Sequence, residues 1–244
     1  MNFIETIKLN NRQKAIGVII LFPWYLYFAP KIINFLLNLY LVYFGSNIDI
    51  NGLNVIYNLV VGIVVAIPLF LVFKNFIYEN FRVFKNNLTE NIIWVVTIGL
   101  LVSYGLSFVG EMIQNLLLQT SDSEATNQVL VEALVQSNFA LMFIQTVIIA
   151  PFVEEMLFRG LIFNSLRQKN IILAHIVSAF LFGLLHVYSY ILAGDMSEWI
   201  KLIPYMTVGF SLSFAYEKRQ TIFAPILLHS LKNCIAVLLL ALMY

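Results

Sequence analysis

The sequence predicts an all-α, polytopic membrane protein, and three observations support this fold class. Of its 244 residues, 61% are hydrophobic and 11% are charged, whereas soluble domains are about 45–50% apolar and about 25% charged. The apolar residues form unbroken runs of about 20 residues, the length at which a helix crosses a bilayer. These runs lack the alternating pattern of a membrane β-barrel. We therefore expect a single membrane domain over residues 1–244, with about seven transmembrane helices and some interfacial amphipathic helices.

The N-terminal part of the chain predicts three spans. A polar lead of residues 1–13 precedes an apolar stretch at residues 15–44, which is long for one span and short for two. Pro23 and Pro30 predict a bend there, either in one long span or in a span with an interfacial piece; splitting the stretch would give eight spans. The second span covers residues 53–73. Arg82 and Lys85 lie among phenylalanines in residues 74–91, which predicts a separate amphipathic stretch on the membrane surface. The third span covers residues 92–118.

The C-terminal part predicts four further spans. Residues 119–137 are polar and acidic, with Asp122 and Glu124, and their spacing of apolar residues indicates a short interfacial helix. The fourth span begins at Phe139. The fifth covers residues 171–190, the sixth residues 202–216 and the seventh residues 222–243. We expect residues 1–138 to supply spans and interfacial helices, and residues 139–243 to form the catalytic core.

The charges of the connecting segments predict the orientation. Lysine and arginine lie in the N-terminal lead and in residues 74–85, 167–169 and 218–219, which all fall on one side of a seven-span arrangement. The other connections are mainly acidic. Because cytoplasmic loops are enriched in cations, we expect a multi-pass protein of the cell membrane with a cytoplasmic N-terminus. The first span lacks a small-residue cleavage site, so we expect it to be retained.

Charge and cysteine usage exclude other classes. The formal net charge is +1, and no basic cluster with interleaved aromatic residues is present. We therefore expect no nucleic-acid partner. The single cysteine, Cys234, excludes an intramolecular disulfide bond and a cysteine-based metal site. In an apolar helix this residue is expected to be a packing residue.

A charged run in the fourth span is the main candidate for chemistry. Glu154, Glu155 and Arg159 lie within otherwise apolar sequence, where each ionised group costs several kcal/mol unless it is paired or hydrated. Glu155 and Arg159 are four residues apart, so they share a helix face and can neutralise each other. Glu154 is then unpaired, and such a carboxylate can serve as a general base. The alternative is a structural ion pair between helices.

Two later spans carry polar residues at compatible depths. Phe182 and His186 share one face of the fifth span, and His229 and Asn233 share one face of the seventh. A single histidine in an apolar helix is more often a hydrogen-bonded packing residue. A carboxylate, two imidazoles and an amide together can activate water and stabilise an oxyanion. His175, Lys232 and Glu111 are expected to be structural.

These three motifs, Glu-Glu-x-x-x-Arg, Phe-x-x-x-His and His-x-x-x-Asn in this order, resemble those of the CPBP intramembrane proteases (CAAX proteases and bacteriocin-processing enzymes, also called Abi). That family includes the type II CAAX prenyl endopeptidases. The resemblance implies an endopeptidase in which Glu154 deprotonates the attacking water and His186 orients it. His229 and Asn233 would stabilise the oxyanion, and Glu155 and Arg159, with Phe182, would support the site.

The resemblance implies a peptide or small protein substrate, with or without a lipid, processed as a CAAX protein or as a leader peptide. It favours a reaction without a cofactor. A zinc-dependent reaction is the alternative, since Glu154, His186 and His229 could form a three-ligand zinc site. A rhomboid-type serine protease is a rival, because Gly209-Phe210-Ser211 precedes His229. A transporter that uses Glu154 as a proton relay and a non-catalytic scaffold or immunity protein are rivals from other classes.

Overall fold

The computed structural model describes residues 7–45, 49–119 and 126–243, and within these ranges the chain forms eight helices and no strands. The helices are α1 (Asn11–Tyr43), α2 (Ile50–Asn86), α3 (Leu88–Leu118), α4 (Thr126–Ser137), α5 (Phe139–Leu166), α6 (Ile171–Leu192), α7 (Glu198–Arg219) and α8 (Phe223–Met243). This arrangement confirms the predicted polytopic helical bundle.

Six of the eight helices in the described ranges are long and apolar enough to cross a membrane, namely α1, α2, α3, α5, α6 and α8. Helix α7 occupies the position of the predicted sixth span and has 22 residues, but it is more polar. It packs against α3, α6 and α8, and Ser211 and Ser213 are buried on it. Because its polar residues face other helices, α7 does not need a fully apolar surface.

Helix α1 is continuous through the apolar stretch that begins at residue 15, for which either one long span or two spans had been predicted. The split into two spans is therefore wrong. Two π-helical segments, Gly17–Leu21 and Trp24–Phe28, flank Pro23 and precede Pro30. Proline lacks the backbone N–H that a regular helix needs, and a wider local turn accommodates its ring without ending the helix.

Helix α2 corrects the prediction of a separate amphipathic stretch at residues 74–91. The helix continues for 37 residues to Asn86, and α3 starts two residues later. Buried residues of this extension, including Asn80, face the segment before α8. The Oδ1 atom of Asn80 accepts a hydrogen bond of 2.9 Å from the backbone N–H of Ile222. This hydrogen bond helps to hold the C-terminal part of α2 against the start of α8.

The short helix predicted within residues 119–137 is present as α4, Thr126–Ser137. The acidic residues Asp122 and Glu124 that accompanied this prediction lie outside the described residues, as do residues 1–6 of the polar lead. Helix α4 packs against α2, α6 and α8. It is therefore in contact with the spans that were expected to carry the site.

Helix α5 is the central helix of the bundle. Half of its most apolar segment is buried inside the protein, compared with 17–33% for the other five candidate spans. Its residues Met156, Leu157 and Phe158 are fully buried in the main hydrophobic core. The charged run of the fourth span therefore lies where protein, and not lipid, surrounds it.

Candidate active site

Glu155 and Arg159 form a fully buried ion pair on α5. The Arg159 Nη1 atom lies 3.0 Å from Oε1 of Glu155, and both side chains have no exposed surface. The Nη2 atom of Arg159 donates a hydrogen bond of 2.6 Å to the backbone carbonyl of Gly209 on α7. This geometry confirms the predicted pairing at i and i+4. The guanidinium also fixes α5 against α7.

The same carboxylate oxygen binds His229 of α8. Oε1 of Glu155 lies 3.0 Å from Nδ1 of His229, so one oxygen joins Arg159 and the imidazole. The ring of Phe182 lies between these groups: its centroid is 4.6 Å from the guanidinium carbon of Arg159 and 5.7 Å from the His229 ring centroid. Residues from α5, α6 and α8 therefore meet at Glu155.

Glu154 points to a different side of α5. It is 8% exposed, and among the described residues its Oε2 atom has no hydrogen-bond partner. The hydroxyl of Tyr25, from α1, interacts with this carboxylate. A nearly buried carboxylate oxygen without a partner is costly in a protein interior. Oε2 of Glu155 and Nε of Arg159 also lack hydrogen-bond partners within the described residues, but these two side chains are fully buried, whereas Glu154 keeps some exposed surface.

The hydrogen bonds of His186 define its tautomer. Its Nδ1 atom lies 2.8 Å from the backbone carbonyl of Phe182, and because a carbonyl can only accept, Nδ1 carries the proton. In the neutral ring, Nε2 is then an acceptor. The ring of Tyr205 stacks on the imidazole, with centroids 4.5 Å apart and planes inclined by 17°. Thus His186 presents a basic nitrogen in a fixed plane.

The amide of Asn233 is held one turn along α8 from His229. Its Nδ2 atom donates a hydrogen bond of 2.8 Å to the backbone carbonyl of Thr146 on α5. Because an amide nitrogen has two protons, one remains for another acceptor. His229 and Asn233 therefore lie on one face of α8 towards α5, as their spacing predicted.

A cavity of about 520 Å³ brings these residues together. Its lining includes Glu154, His186, His229 and Asn233, together with Tyr25 from α1. The remaining walls come mainly from α2, α4 and α5, with aliphatic residues and a few amides. This is the size range of ligand-binding pockets. The structure therefore places the predicted base, both imidazoles and the amide around a single space, with Glu155 and Arg159 behind it.

Other polar residues in the spans make structural contacts. The Ser211 hydroxyl, the nucleophile of the serine rival, donates to the backbone carbonyl of Val208 at 2.7 Å and lies 3.1 Å from the Ser103 hydroxyl. Lys232 donates to Ser107 at 2.7 Å. His175 lies 2.7 Å from the Ser213 hydroxyl. These contacts give Ser211, Lys232 and His175 partners away from the cavity.

The sequence did not reveal Tyr25 and Tyr205 as cavity residues. Each is one of 12 tyrosines in a chain with many aromatic residues, so neither stands out by type. Gln145, whose buried Oε1 has no hydrogen-bond partner within the described part of the chain, also lines the cavity. A polar amide within a membrane span is a candidate site residue, so Gln145 could have been predicted from the sequence.

The candidate zinc ligands were tested by their arrangement. In the described residues, no three His, Cys, Asp or Glu side chains are grouped so that they could hold a metal ion. Glu154, His186 and His229 share the cavity, but a three-ligand zinc site also needs all three donor atoms about 2.0–2.2 Å from one point. As they stand, these side chains do not form a three-ligand zinc site, and the zinc alternative stays a prediction.

Comparison with known proteins identifies similar chains. Residues 136–235 match the family model described as type II CAAX prenyl endopeptidase Rce1-like, and this region contains the four cavity residues of the predicted site. An uncharacterised protein of Mycoplasma capricolum is 30% identical over 241 residues, which cover 93% of this chain and 68% of that protein.

Two further relatives match more distantly. The protein named "Putative membrane peptidase YdiL" of Bacillus subtilis is 26% identical over 156 residues, which are 64% of this chain and 59% of that protein. The UPF0177 protein YaiF of Lactococcus lactis is 26% identical over 172 residues, which are 70% of this chain and 73% of that protein. The match with YdiL thus spans less than two thirds of its length. No solved structure is significantly similar to the chain.

Proposed function

We propose that this chain, which belongs to the type II CAAX prenyl endopeptidase Rce1-like family, is an intramembrane endopeptidase that cleaves peptide bonds with a water molecule activated by Glu154. The observation that supports this most directly is the environment of Glu154. Glu154 lines a cavity with two imidazoles and an amide, and its buried Oε2 atom has no hydrogen-bond partner among the described residues.

Glu154 and His186 form the water-activating half of the site. A water bound between them donates one hydrogen to the carboxylate of Glu154 and the other to Nε2 of His186, which the bond from Nδ1 to Phe182 leaves as an acceptor. The water oxygen then attacks the scissile carbonyl carbon. Glu154 takes the proton as the carbon–oxygen bond forms, and delivers it to the leaving amine as the carbon–nitrogen bond breaks.

His229 and Asn233 form the oxyanion-stabilising half. Asn233 has one amide proton beyond the bond to Thr146, and this proton can bind the oxygen of the tetrahedral intermediate. Nδ1 of His229 donates to Glu155, so Nε2 can donate to the oxyanion only when the ring carries both protons. The carboxylate of Glu155 then lies between two cations, the His229 ring and the guanidinium of Arg159, so the cluster has a net positive charge that favours the oxyanion.

The proposed substrate is a peptide or small protein at the membrane, with or without a lipid. The cavity of about 520 Å³ has a mixed lining of aliphatic, tyrosine and amide side chains, which suits a peptide backbone with apolar side chains. CAAX proteins and leader peptides both present such segments. The proposal includes no cofactor, and a chelator tests the zinc alternative.

The experiment uses the full chain reconstituted in lipid and a panel of fluorogenic membrane peptides. We expect cleavage by the wild type and a loss of about 10²–10⁴-fold in Glu154→Gln. Ser211→Ala serves as the matched control, because it removes a buried polar group that the proposed reaction does not use. Both variants are first compared with the wild type in thermal unfolding.

The outcomes separate the alternatives. Cleavage that persists in Ser211→Ala and in a strong chelator, but is lost in Glu154→Gln, supports the proposal. Loss with chelator and recovery with added zinc would replace it with the metal-dependent reaction. Full activity in Glu154→Gln, or no cleavage of any peptide by the wild type, would overturn the proposal and favour a transporter or scaffold.

We also propose a cytoplasmic N-terminus, from the cations in the connections on that side. Single cysteines introduced in a Cys234→Ser background test this orientation. Lys169→Cys and Lys218→Cys should react with a membrane-impermeant thiol reagent only after cells are permeabilised. Asp195→Cys should react in intact cells. The reverse pattern would contradict the proposed orientation.

A further inference from the structure

The interfacial helix α4 forms one wall of the cavity. The cavity that Glu154 and His186 line is also lined by five residues of α4, namely Asn127, Gln128, Leu130, Val131 and Leu134. The helix has only 12 residues, so it is too short to span the membrane. Its position against the cavity therefore depends on its contacts with other helices.

Carboxylates from two neighbouring helices hold the ends of α4. At its N-terminus, the backbone N–H and the hydroxyl of Thr126 donate to Oε1 of Glu198, at 3.2 Å and 2.7 Å. Glu198 is fully buried and also binds Lys201 at 3.0 Å. At the C-terminus, the Ser137 hydroxyl donates to Asp49 at 3.2 Å. The helix is thus fixed to α7 and to the start of α2.

A chain of contacts connects α4 to His186. The side chain of Asn127 interacts with the Tyr205 hydroxyl, and both residues line the cavity. The other end of Tyr205, its ring, is stacked on the imidazole of His186 at a centroid distance of 4.5 Å. Tyr205 lies on α7, and all three residues line the cavity. Tyr205 therefore lies between an interfacial helix and a proposed catalytic residue.

We propose that Tyr205 is a positioning residue for His186, and that α4 acts on the site through its Asn127–Tyr205 contact. This inference rests on the proposed function. The hydrogen bond from Nδ1 to Phe182 fixes one atom of the imidazole, but the ring can still turn about that atom. The Phe182 ring packs against the imidazole at an angle of 48°, whereas Tyr205 stacks nearly parallel to it and so holds the ring plane. These contacts together determine where Nε2 points.

The effect on the reaction follows from this geometry. A misplacement of about 1 Å in a catalytic group can cost about 10²-fold in rate. Without the Tyr205 ring, His186 can rotate, and its Nε2 leaves the position of the attacking water. Without the Asn127 side chain, the ring of Tyr205 remains but is less firmly held. We therefore expect a large loss of rate when the ring is removed and a smaller loss when the Asn127 contact is removed.

Kinetics of the full chain in lipid provide the first test. We expect kcat to fall about 10–100-fold in Tyr205→Leu, and less in Tyr205→Phe and Asn127→Ala. Because Tyr205→Phe and Asn127→Ala remove the same contact between the hydroxyl and the amide, their combination should cost no more than either one. The matched control is Glu132→Ala, which lies on α4 and loses only a bond within that helix, to Gln128. Additive losses from the two substitutions would overturn the inference.

A second measurement does not depend on cleavage. The chain has three histidines, so the NMR signal of the labelled His186 ring can be assigned from its loss in His186→Gln. A stacked tyrosine shields the imidazole protons, and we expect these signals to move in Tyr205→Leu and Asn127→Ala but not in Glu132→Ala. A His186 signal in Asn127→Ala that coincides with the wild type would overturn the inference.

The two measurements distinguish this inference from the proposed function. If the wild type cleaves peptides but the His186 signal and kcat are unchanged in Asn127→Ala, the positioning role is wrong and the peptidase stands. If the His186 signal moves as expected but the wild type cleaves no peptide, the proposed peptidase function is wrong. The positioning role of Tyr205, which rests on that function, is then wrong as well.

Discussion

Removing Arg159 should destabilise the protein strongly, and Arg159→Met is the sharpest test of the buried ion pair. The substitution retains the length of the side chain and its contact with Phe182. It removes the bond of 3.0 Å to Glu155 and the bond of 2.6 Å to the Gly209 carbonyl. The carboxylate of Glu155, which is fully buried, then keeps His229 as its one partner among the described residues.

The expected loss follows from the cost of an uncompensated buried charge. Removing one partner of a buried ion pair typically costs about 3–5 kcal/mol. In a domain of this size, each kcal/mol corresponds to about 2–4 °C in Tm, so we expect Tm to fall by about 6–20 °C. Thermal unfolding in mild detergent, followed by the fraction that remains monodisperse, measures this change.

A second substitution tests whether the uncompensated charge of Glu155 causes this loss of stability. Glu155→Gln in the Arg159→Met background removes the uncompensated charge and retains an acceptor for Nδ1 of His229. We expect the free energy of unfolding of the double variant to exceed that of Arg159→Met by about 1–3 kcal/mol, because substitutions of residues in contact are energetically coupled. The matched control is Arg82→Met, which breaks an exposed pair of 3.1 Å with Glu79 and should cost at most about 1 kcal/mol.

Two results would refute this reasoning. A loss for Arg159→Met no larger than that for Arg82→Met would show that the buried pair contributes little. A double variant less stable than Arg159→Met would show that the destabilisation comes from lost packing or from the Gly209 contact, and not from an uncompensated carboxylate.

Three further predictions concern the ends of α4 and the polar face of α8. Glu198→Ala leaves the Thr126 donors without their partner, so hydrogen exchange should rise in residues 126–137; unchanged exchange would contradict the role of this contact. The N–H groups at the start of α2 lower the pKa of Asp49 below its ordinary value of 3.8. The ionised Asp49 side chain therefore stabilises the fold above pH 3.8, and this stabilisation is lost as the pH falls through the lowered pKa. Asp49→Asn should remove this acid-dependent part of the Tm curve, and identical curves from pH 2 to 5 would contradict it. Lys232→Met should leave peptide cleavage unchanged, whereas Asn233→Ala should reduce it about 10²–10³-fold if one oxyanion donor is lost; equal losses in the two variants would contradict their different positions on α8.

The sequence predicted those parts of the site that depend on helix geometry alone. The pairing of Glu155 with Arg159 follows from their separation of four residues. The common face of His229 and Asn233 follows in the same way. Depth within the spans indicated that α5, α6 and α8 carry polar groups at similar levels. The structure adds the cavity that these groups share.

Contacts between distant segments were beyond prediction from one sequence. The bond between His229 and Glu155 depends on how α8 is rotated against α5, and no local spacing fixes that rotation. Tyr25 and Tyr205 are ordinary aromatic residues of membrane helices, and only the packing of α1 and α7 gives them a place at the cavity. The continuation of α2 beyond residue 73 was missed because an amphipathic pattern alone does not distinguish a surface segment from the end of a longer helix.

The polarity of α7 has a consequence for how the protein is made. Six described helices are apolar enough to enter lipid individually, but α7 carries buried serines and charged ends that favour water over hydrocarbon. Its main partners, α3 and α6, precede it in the chain and are synthesised first. Insertion of α7 therefore requires that these two helices are already in the membrane. A chain that ends before α8 should still insert α7, whereas a chain without α3 should leave it outside the bilayer.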